Sequence, residues 1–422
     1  MRPLRDVLVQ RSEPVRVDGI LGDWQAITIK FSGEVLPRER TEVFKGAMFA
    51  AYPGDLAFSK IDARNGAVGL IPDSIPKAVV TSEYPVFTPN AEKLRADFLH
   101  HLLRAEHFRA DLQRKASGTS GRKRVTPEGF LSLEIPLPSL VEQDALIAAY
   151  TDALHRATQL EQAADAIERA GWQAFETALG VAPPPPLPNR PVFVARFKDV
   201  ERWSHDGILR GAIGNGDTKT PTATEALGNA LLEVRHGCSK GPSKKATSLR
   251  VLKISAVTKG RLDLSEHKFI ADEPAMREQF ALKSGDILMC RTNGTLAYVG
   301  MSALVDADID DMIFPDKVIR VRPNPEKIEP GFLWRLLQVS AVRSQIEAAA
   351  RTAVGNFAIG GKDIKALKVP LPLPARQKCI AQALEDTMTE AKSKRTEAAT
   401  LRQSAWAAFE AALFTATEEP AA

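Results

Sequence analysis

The sequence predicts a duplicated α/β (α+β) protein. Two globular modules are separated by two long antiparallel coiled-coil helices and related by pseudo-two-fold symmetry. Three observations predict it. The first is a repeat: Ile135-Pro136-Leu137-Pro138 recurs as Val369-Pro370-Leu371-Pro372, 234 positions on (Pro136 to Pro370). At the same spacing Gln143 matches Gln377, Trp172 matches Trp406, Phe175 matches Phe409, and Ala178-Leu179 matches Ala412-Leu413. Upstream, Pro53-Gly54-Asp55-Leu56 matches Ser284-Gly285-Asp286-Ile287, 231 positions on (Gly54 to Gly285), so large units are duplicated rather than short ones. The second is that each unit opens with β-branched runs broken by Gly and Pro, such as Val251-Leu252-Lys253-Ile254 and Lys317-Val318-Ile319-Arg320-Val321, which read as short strands. The third is that each unit closes on about forty residues without proline, enough for a helix roughly 60 Å long.

The elements follow in order. Residues 1–138 form the first module, with a helical piece from Ala96 to Leu112. The first long helix is expected over 139–180, opening on the capping box Ser139-Leu140-Val141-Glu142 and stopping at Gly180. Its small or apolar positions run Leu146, Tyr150, Ala153, Ala157, Leu160, Ala164, Ile167, Gly171, Ala174 and Ala178, alternating steps of four and three as a coiled-coil seam does. Pro183 to Pro186 stiffen a linker over 181–189, and the second module spans 190–372, with a helical piece from Gly331 to Ala350. The second long helix, 373–415, repeats the register from Ile380 through Leu384, Thr387, Ala391, Lys394, Ala398, Leu401, Ala405 and Ala408 to Ala412, with Lys394 as its imperfection. A tail, 416–422, follows. Two separate surface helices would also fit, but one register in a duplicated chain favours mutual packing.

Composition sets the class. The 422 residues are 44% hydrophobic and 26% charged, as in a globular protein able to bury a sizeable core. Lys+Arg 56 against Asp+Glu 52 gives +4, which permits a polyanionic partner without requiring one. Cys238, Cys290 and Cys379 lie far apart and form no disulfide framework; with no signal-peptide pattern after Met1, a cytoplasmic protein is expected. No Gly-x-x-x-x-Gly-Lys-Ser/Thr phosphate loop occurs, nor an Asn/Asp-Pro-Pro-aromatic motif, so neither ATP turnover nor amino-methyl transfer is expected. His236-Gly237-Cys238 is the nearest approach to metal-ligand spacing and reads as incidental. His100, His101 and His107 read as surface residues of a helix.

Two similar modules at a fixed separation suit a two-part site on double-stranded DNA, whose groove faces repeat once per turn. Between Glu233 and Asp263 no acid occurs, yet Arg235, Lys240, Lys244, Lys245, Arg250, Lys253, Lys259 and Arg261 do. The first module offers Arg38, Arg40 and Lys45, and then Arg122-Lys123-Arg124 after Gly118 and Gly121. Such loops contact phosphates, or else form a solvated basic face. Base readout needs polar side chains on a firm backbone. Lys60, Arg64 and Asn65 in the first module, and Arg291 and Asn293 in the second, stand at or near a strand end and its Asn-Gly turn, although each Asn could serve the turn alone.

At these residues the chain resembles the specificity (S) subunits of type I restriction–modification enzymes. Gly54-Asp55-Leu56-Ala57-Phe58-Ser59-Lys60-Ile61 with Arg64-Asn65-Gly66-Ala67-Val68-Gly69, and Thr81 to Phe87, look like one version of that family's target recognition domain. Val251 to Ile254, Gly260 to Leu264, Gly285 to Leu288 and Arg291-Thr292-Asn293-Gly294 look like the other. Ile135 to Pro138 leading to Glu142-Gln143 is similar to the approach to the family's long helix, with Arg376-Gln377 departing in the second copy. The resemblance implies that each recognition domain reads one half of a split DNA site and that the helices set the spacer. It also implies that two methyltransferase (M) subunits dock here, carrying S-adenosylmethionine, and that motor-nuclease (R) subunits can join in defence of the host against foreign DNA. It implies no catalysis, no cofactor and no metal in this chain. The leading alternative from another class is a structural adaptor with duplicated protein-binding heads; a stand-alone nuclease is the weakest reading, since Pro315-Asp316-Lys317 lies near a strand but lacks a second placed acid.

Overall fold

The computed structural model describes residues 1–16, 21–39, 47–116, 124–181, 223–353 and 355–414. The linker after Val181, the start of the second module and the tail lie outside the described residues. The chain divides into two compact units, Met1–Gln162 with Arg395–Ala422, and Ala163–Lys394.

In the first unit, β1 (Leu8–Arg11), β2 (Leu56–Phe58), β3 (Val68–Leu70) and β4 (Val86–Pro89) form an antiparallel sheet in the order β1-β4-β2-β3. The apolar run Leu56-Ala57-Phe58 is buried along its whole length, as a central strand covered on both faces must be. Phe58 stacks on Phe130 with centroids 4.4 Å apart, and Phe87 closes the cluster. A five-stranded sheet lies in the order Pro14–Val15, Met48–Ala51, Ala78–Thr81, Gln25–Ile29, Val35–Pro37, with Gln25–Ile29 parallel to Ala78–Thr81. Arg2–Pro3 pairs with Glu134–Ile135, tying the N-terminus to the foot of the first long helix. The helical piece expected as one run is two helices, α1 (Ala96–Leu102) and α2 (Glu106–Lys115), because Ala105 turns extended between them.

In the second unit, β5 (Leu231–His236), β6 (Ile287–Cys290), β7 (Ser302–Leu304) and β8 (Val318–Pro323) pair antiparallel in the order β5-β8-β6-β7. That order repeats the first sheet strand for strand. Leu249–Leu252 lies between His267–Ile270 and, in parallel, Met312–Ile313. Thr224–Ala226 pairs with Lys368–Pro370 as the N-terminal clasp does in the first unit. Here too the expected single helix breaks in two, α4 (Pro330–Leu336) and α5 (Ser340–Ala349), at Leu337 to Val339.

The long helices are α3 (Leu140–Ala178, 39 residues) and α6 (Pro374–Phe414, 41 residues). Within the first unit they run antiparallel: Tyr150 lies 5.7 Å from the rings of both Trp406 and Phe409, while Glu161 and Thr158 meet Arg402. Within the second unit Gly171 faces Thr387 and Leu384, and Arg376 donates to the Ala178 carbonyl. The expected seam holds through Gly171 and Ala405, then shifts by one residue. Phe175, Leu179, Phe409 and Leu413 are buried, whereas Ala174, Ala408 and Ala412 are exposed. Steps of four replace the alternation because these last turns face a globular core instead of a helix. Phe175 packs 5.9 Å from Phe332, and its counterpart Phe409 packs 6.2 Å from Phe98.

Candidate nucleic-acid interface

Lys60 and Arg291 occupy one backbone frame in two copies. Each lies just beyond the second strand of its sheet, Lys60 two residues past Phe58 and Arg291 next to Cys290, and each is held on both sides. The Lys60 amide donates to the Glu83 carbonyl (3.0 Å) and its carbonyl accepts from Val125 N–H (2.8 Å). The Arg291 amide donates to the Lys317 carbonyl (2.9 Å) and its carbonyl accepts from Ile359 N–H (3.0 Å). The duplication therefore carries a basic side chain to the same strand end twice.

The sheets behind these positions are braced by buried carboxylates at matched places, Asp55 and Asp286, each next to a left-handed glycine. Their cations come from different strands. Arg11 on β1 reaches Asp55 at 2.7 Å and also donates to Thr88 (3.0 Å), while Arg322 on β8, the counterpart of Thr88, reaches Asp286 at 2.7 Å. Those hydrogen bonds raise the pKa of both arginines.

In the first module Arg64 belongs to the single 3-10 turn Ala63–Asn65, and its buried Nε has no hydrogen-bond partner. Gly66 closes that turn with φ 104°, where a Cβ would lie 2.2 Å from the Phe31 carbonyl oxygen. The Asn65 amide donates to the Asp62 carboxylate (3.2 Å), so Asn65 serves the turn. Arg124 pairs with Glu83 at 3.3 Å, which brings Lys60, Glu83 and Arg124 together. Arg122 and Lys123 lie outside the described residues, as do Arg40 and Lys45.

In the second module Arg291 sits between two side chains. Its Nη1 donates to His236 Nδ1 (3.4 Å) and its Nη2 lies 3.7 Å from Asp316 Oδ2; its Nε is buried without a partner. Burial, then the Arg291 charge, lowers the His236 pKa against the opposing pull of Asp316, so the ring is neutral and free to accept. The Asp316 amide donates to the Cys238 carbonyl (2.8 Å), which fixes the base of the basic loop beside this group. Asn293 pairs with Phe357 in a short strand, Thr292–Asn293, and its side-chain oxygen accepts from the Thr295 amide (3.0 Å) in an Asx turn, so it too serves the turn that follows.

The linear basic stretch is largely neutralised in three dimensions. Glu233 pairs with Arg235, Glu273 with Lys240 (2.6 Å), Asp311 with Arg250, Glu266 with Lys253 and Asp263 with Lys259. Lys244 and Lys245 stay exposed, and among the described residues no carboxylate pairs with either. Sequence reasoning missed most of this because Glu273, Asp311 and Glu266 arrive from other elements, while Glu233 and Asp263 are the acids that bound the stretch itself. It also placed His100 and His101 on the surface, yet both are half-buried, and the His101 ring lies 4.9 Å from Tyr150. Burial pushes the Cys290 thiol up to about 11, which makes it an inert core residue. Among the described residues no cluster of His, Cys, Asp or Glu could hold a metal ion, and no helix is long and apolar enough to cross a membrane.

The family model for the type I restriction modification DNA specificity domain matches residues 49–169 and 240–401, more than half of the chain and once in each copy of the repeat. The chain belongs to that family. Among the specificity subunits it is similar to is that of the type I restriction enzyme EcoKI of Escherichia coli K12, 24% identical over 68% of this chain and 57% of the relative. Another is that of StySPI of Salmonella potsdam, 21% identical over 68% and 58%. The alignments thus span less than two thirds of either relative. The HsdS subunit from Thermoanaerobacter tengcongensis shares the fold, with a TM-score of 0.53, 17% identity and coverage of 97% of this chain and 95% of that one. A chain solved in work on complex assembly and conformational transition of the type I R-M system shares it at 0.62, with 17% identity and coverage of 97% and 96%. The specificity-domain fold accounts for the paired four-stranded sheets and the two long helices.

Proposed function

We propose that this chain is the DNA sequence-recognition subunit of a type I restriction–modification complex. Residues 1–138 and 190–372 are its target recognition domains, each reading one half of a bipartite site. The two long helices set the spacer and dock methyltransferase subunits, which supply S-adenosylmethionine and the chemistry; this chain supplies none. The observation that carries the proposal is the occurrence of the specificity-domain match in both copies of a duplicated frame that presents Lys60 and Arg291 at equivalent strand ends.

In this reading Lys60, Arg64, Asn65, Arg291 and Asn293 lie at the base-reading surface, and Arg122, Lys123, Arg124, Lys240, Lys244 and Lys245 contact phosphates. Lys244 and Lys245 are the strongest candidates for the latter, since a lysine already paired with a carboxylate must exchange one partner for another.

Methylation mapping of DNA from cells expressing the chain together with a type I methyltransferase subunit tests the proposal. A split motif is expected, and replacing residues 190–372 by another recognition domain should change one half of it only. Inserting a heptad in 140–179, matched in 374–413, should change the gap and leave both halves intact. Arg291→Ala should cost about 1–3 kcal/mol of discrimination at one half. A protein-binding adaptor would instead show neither salt-dependent DNA binding nor a motif.

A further inference from the structure

We infer that Asp316 is a positioning residue for specificity: it holds the Arg291 guanidinium for a neutral base edge and turns phosphates away from it. The inference rests on the DNA-reading function proposed above and concerns how that reading is protected from non-specific contact.

The geometry carries it. The Arg291 backbone is pinned at its amide and its carbonyl, and its Nη1 reaches His236 Nδ1 at 3.4 Å. Asp316 stands 3.7 Å from Nη2, and its own amide is bonded to the Cys238 carbonyl, so the backbone that carries the carboxylate is pinned beside the cation it faces. The Arg291 and Asp316 side chains are 30% and 45% exposed, so solvent screens the pair and separating it is cheap. A phosphate docking on Arg291 would meet the Asp316 charge within a Debye length, roughly 10 Å at 0.1 M salt, and be repelled. A guanine edge carries two acceptors and no net charge, so it takes hydrogen bonds from the same fork without that repulsion. His236, kept neutral, adds no charge that would cancel the bias.

The experiment uses the full chain with its methyltransferase partner and two duplexes, one carrying the motif found by methylation mapping and one lacking it. For Asp316→Asn we expect affinity for the motif-free duplex to rise about threefold to tenfold, with a salt slope steeper by about 0.9, the value for one more phosphate contact. Affinity for the motif should change less, so the specificity ratio falls; Asp316→Glu should restore it. Thermal unfolding of both variants is measured alongside, and a merely structural role would lower the melting temperature and weaken both duplexes together. Equal changes on the two duplexes, or an unaltered salt slope, would overturn the inference. A wild-type complex with no preference between the duplexes would instead overturn the DNA-reading function on which it rests.

Discussion

At the residue scale, the duplication is written most clearly in two buried glutamines. Gln143 donates to the Lys93 and Pro138 carbonyls and accepts from the Arg95 amide; Gln377 does the same with Lys327, Pro372 and Glu329. Both side chains are wholly buried, so each bond is made in a place where water cannot substitute. Gln143→Leu or Gln377→Leu strands two carbonyls and one amide, and should cost about 3 kcal/mol in urea unfolding. A cost below 1 kcal/mol would mean the loops relax onto other partners. The repeat made these glutamines legible in the sequence as a pair, but not their task, since two of the three partners of each lie about fifty residues upstream. The half-burial of His100 is hidden in the sequence for a similar reason. Burial, then the charges of Arg104 and His101, hold it down to about 4. The unfolded chain, with an ordinary pKa near 6.5, therefore binds the extra proton between those values. Stability from this group is complete above pH about 6.5 and drains away as pH falls toward about 4, by roughly 1–3 kcal/mol after allowance for its partial exposure. His100→Gln should flatten that limb of the unfolding curve, and an unchanged limb would exonerate His100.

At the scale of elements, the long helices do more than pack on one another. Glu176 of α3 accepts from the backbone amide and hydroxyl of Ser340, the first residue of α5 (Ser340–Ala349), and Glu410 of α6 accepts from the amide of Glu106, the first residue of α2. Each carboxylate thus satisfies a helix N-terminus that has no cap of its own. Glu176→Ala and Glu410→Ala should each cost about 1 kcal/mol, with hydrogen exchange accelerated in the first turn of α5 or α2 respectively. Acceleration spread evenly over the unit would argue against a capping role. Where the helices face each other, Gly171 leaves room for Thr387: a Cβ there would lie 2.7 Å from the Thr387 methyl. Gly171→Val should therefore destabilise by about 2 kcal/mol through overpacking, an outcome that denaturant titration reads directly. Elements of this kind were legible to different depths. Period and proline spacing revealed both long helices and the strand order's raw material, because those signals are local. The one-residue seam shift at Phe175 and Phe409 was hidden, because it depends on Phe332 and Phe98 far away in the chain. So was the neutralisation of Lys240 by Glu273 and of Arg250 by Asp311, which only the folded sheets bring together.

At the scale of the whole molecule, each globular core is completed by the long helix that follows the other module in the sequence. The first module's core includes Phe409 and Leu413 of α6, and the second includes Phe175 and Leu179 of α3. The exchanged residues are the same types at matched positions: Trp172 with Trp406, Phe175 with Phe409, Glu176 with Glu410, Leu179 with Leu413. A chain ending at residue 181 would lack the α6 residues that close its only module, yet would carry their equivalents at the end of its own α3. Two such half-chains can satisfy each other, each burying its Phe175 and Leu179 beside the partner's Phe98 and offering Glu176 to the partner's α2. Exposing two large apolar side chains costs several kcal/mol, at about 1.5–3 kcal/mol each, so the isolated half-chain has strong reason to pair. Residues 1–181 should accordingly sediment as a homodimer, and Phe175→Asp should leave a monomer or aggregate, while Arg109→Asp at an exposed position of α2 should not. A folded, monodisperse monomer at tens of micromolar would show that module 1 closes without the helix end, and that the matched residues are a relic of the duplication instead of interchangeable parts.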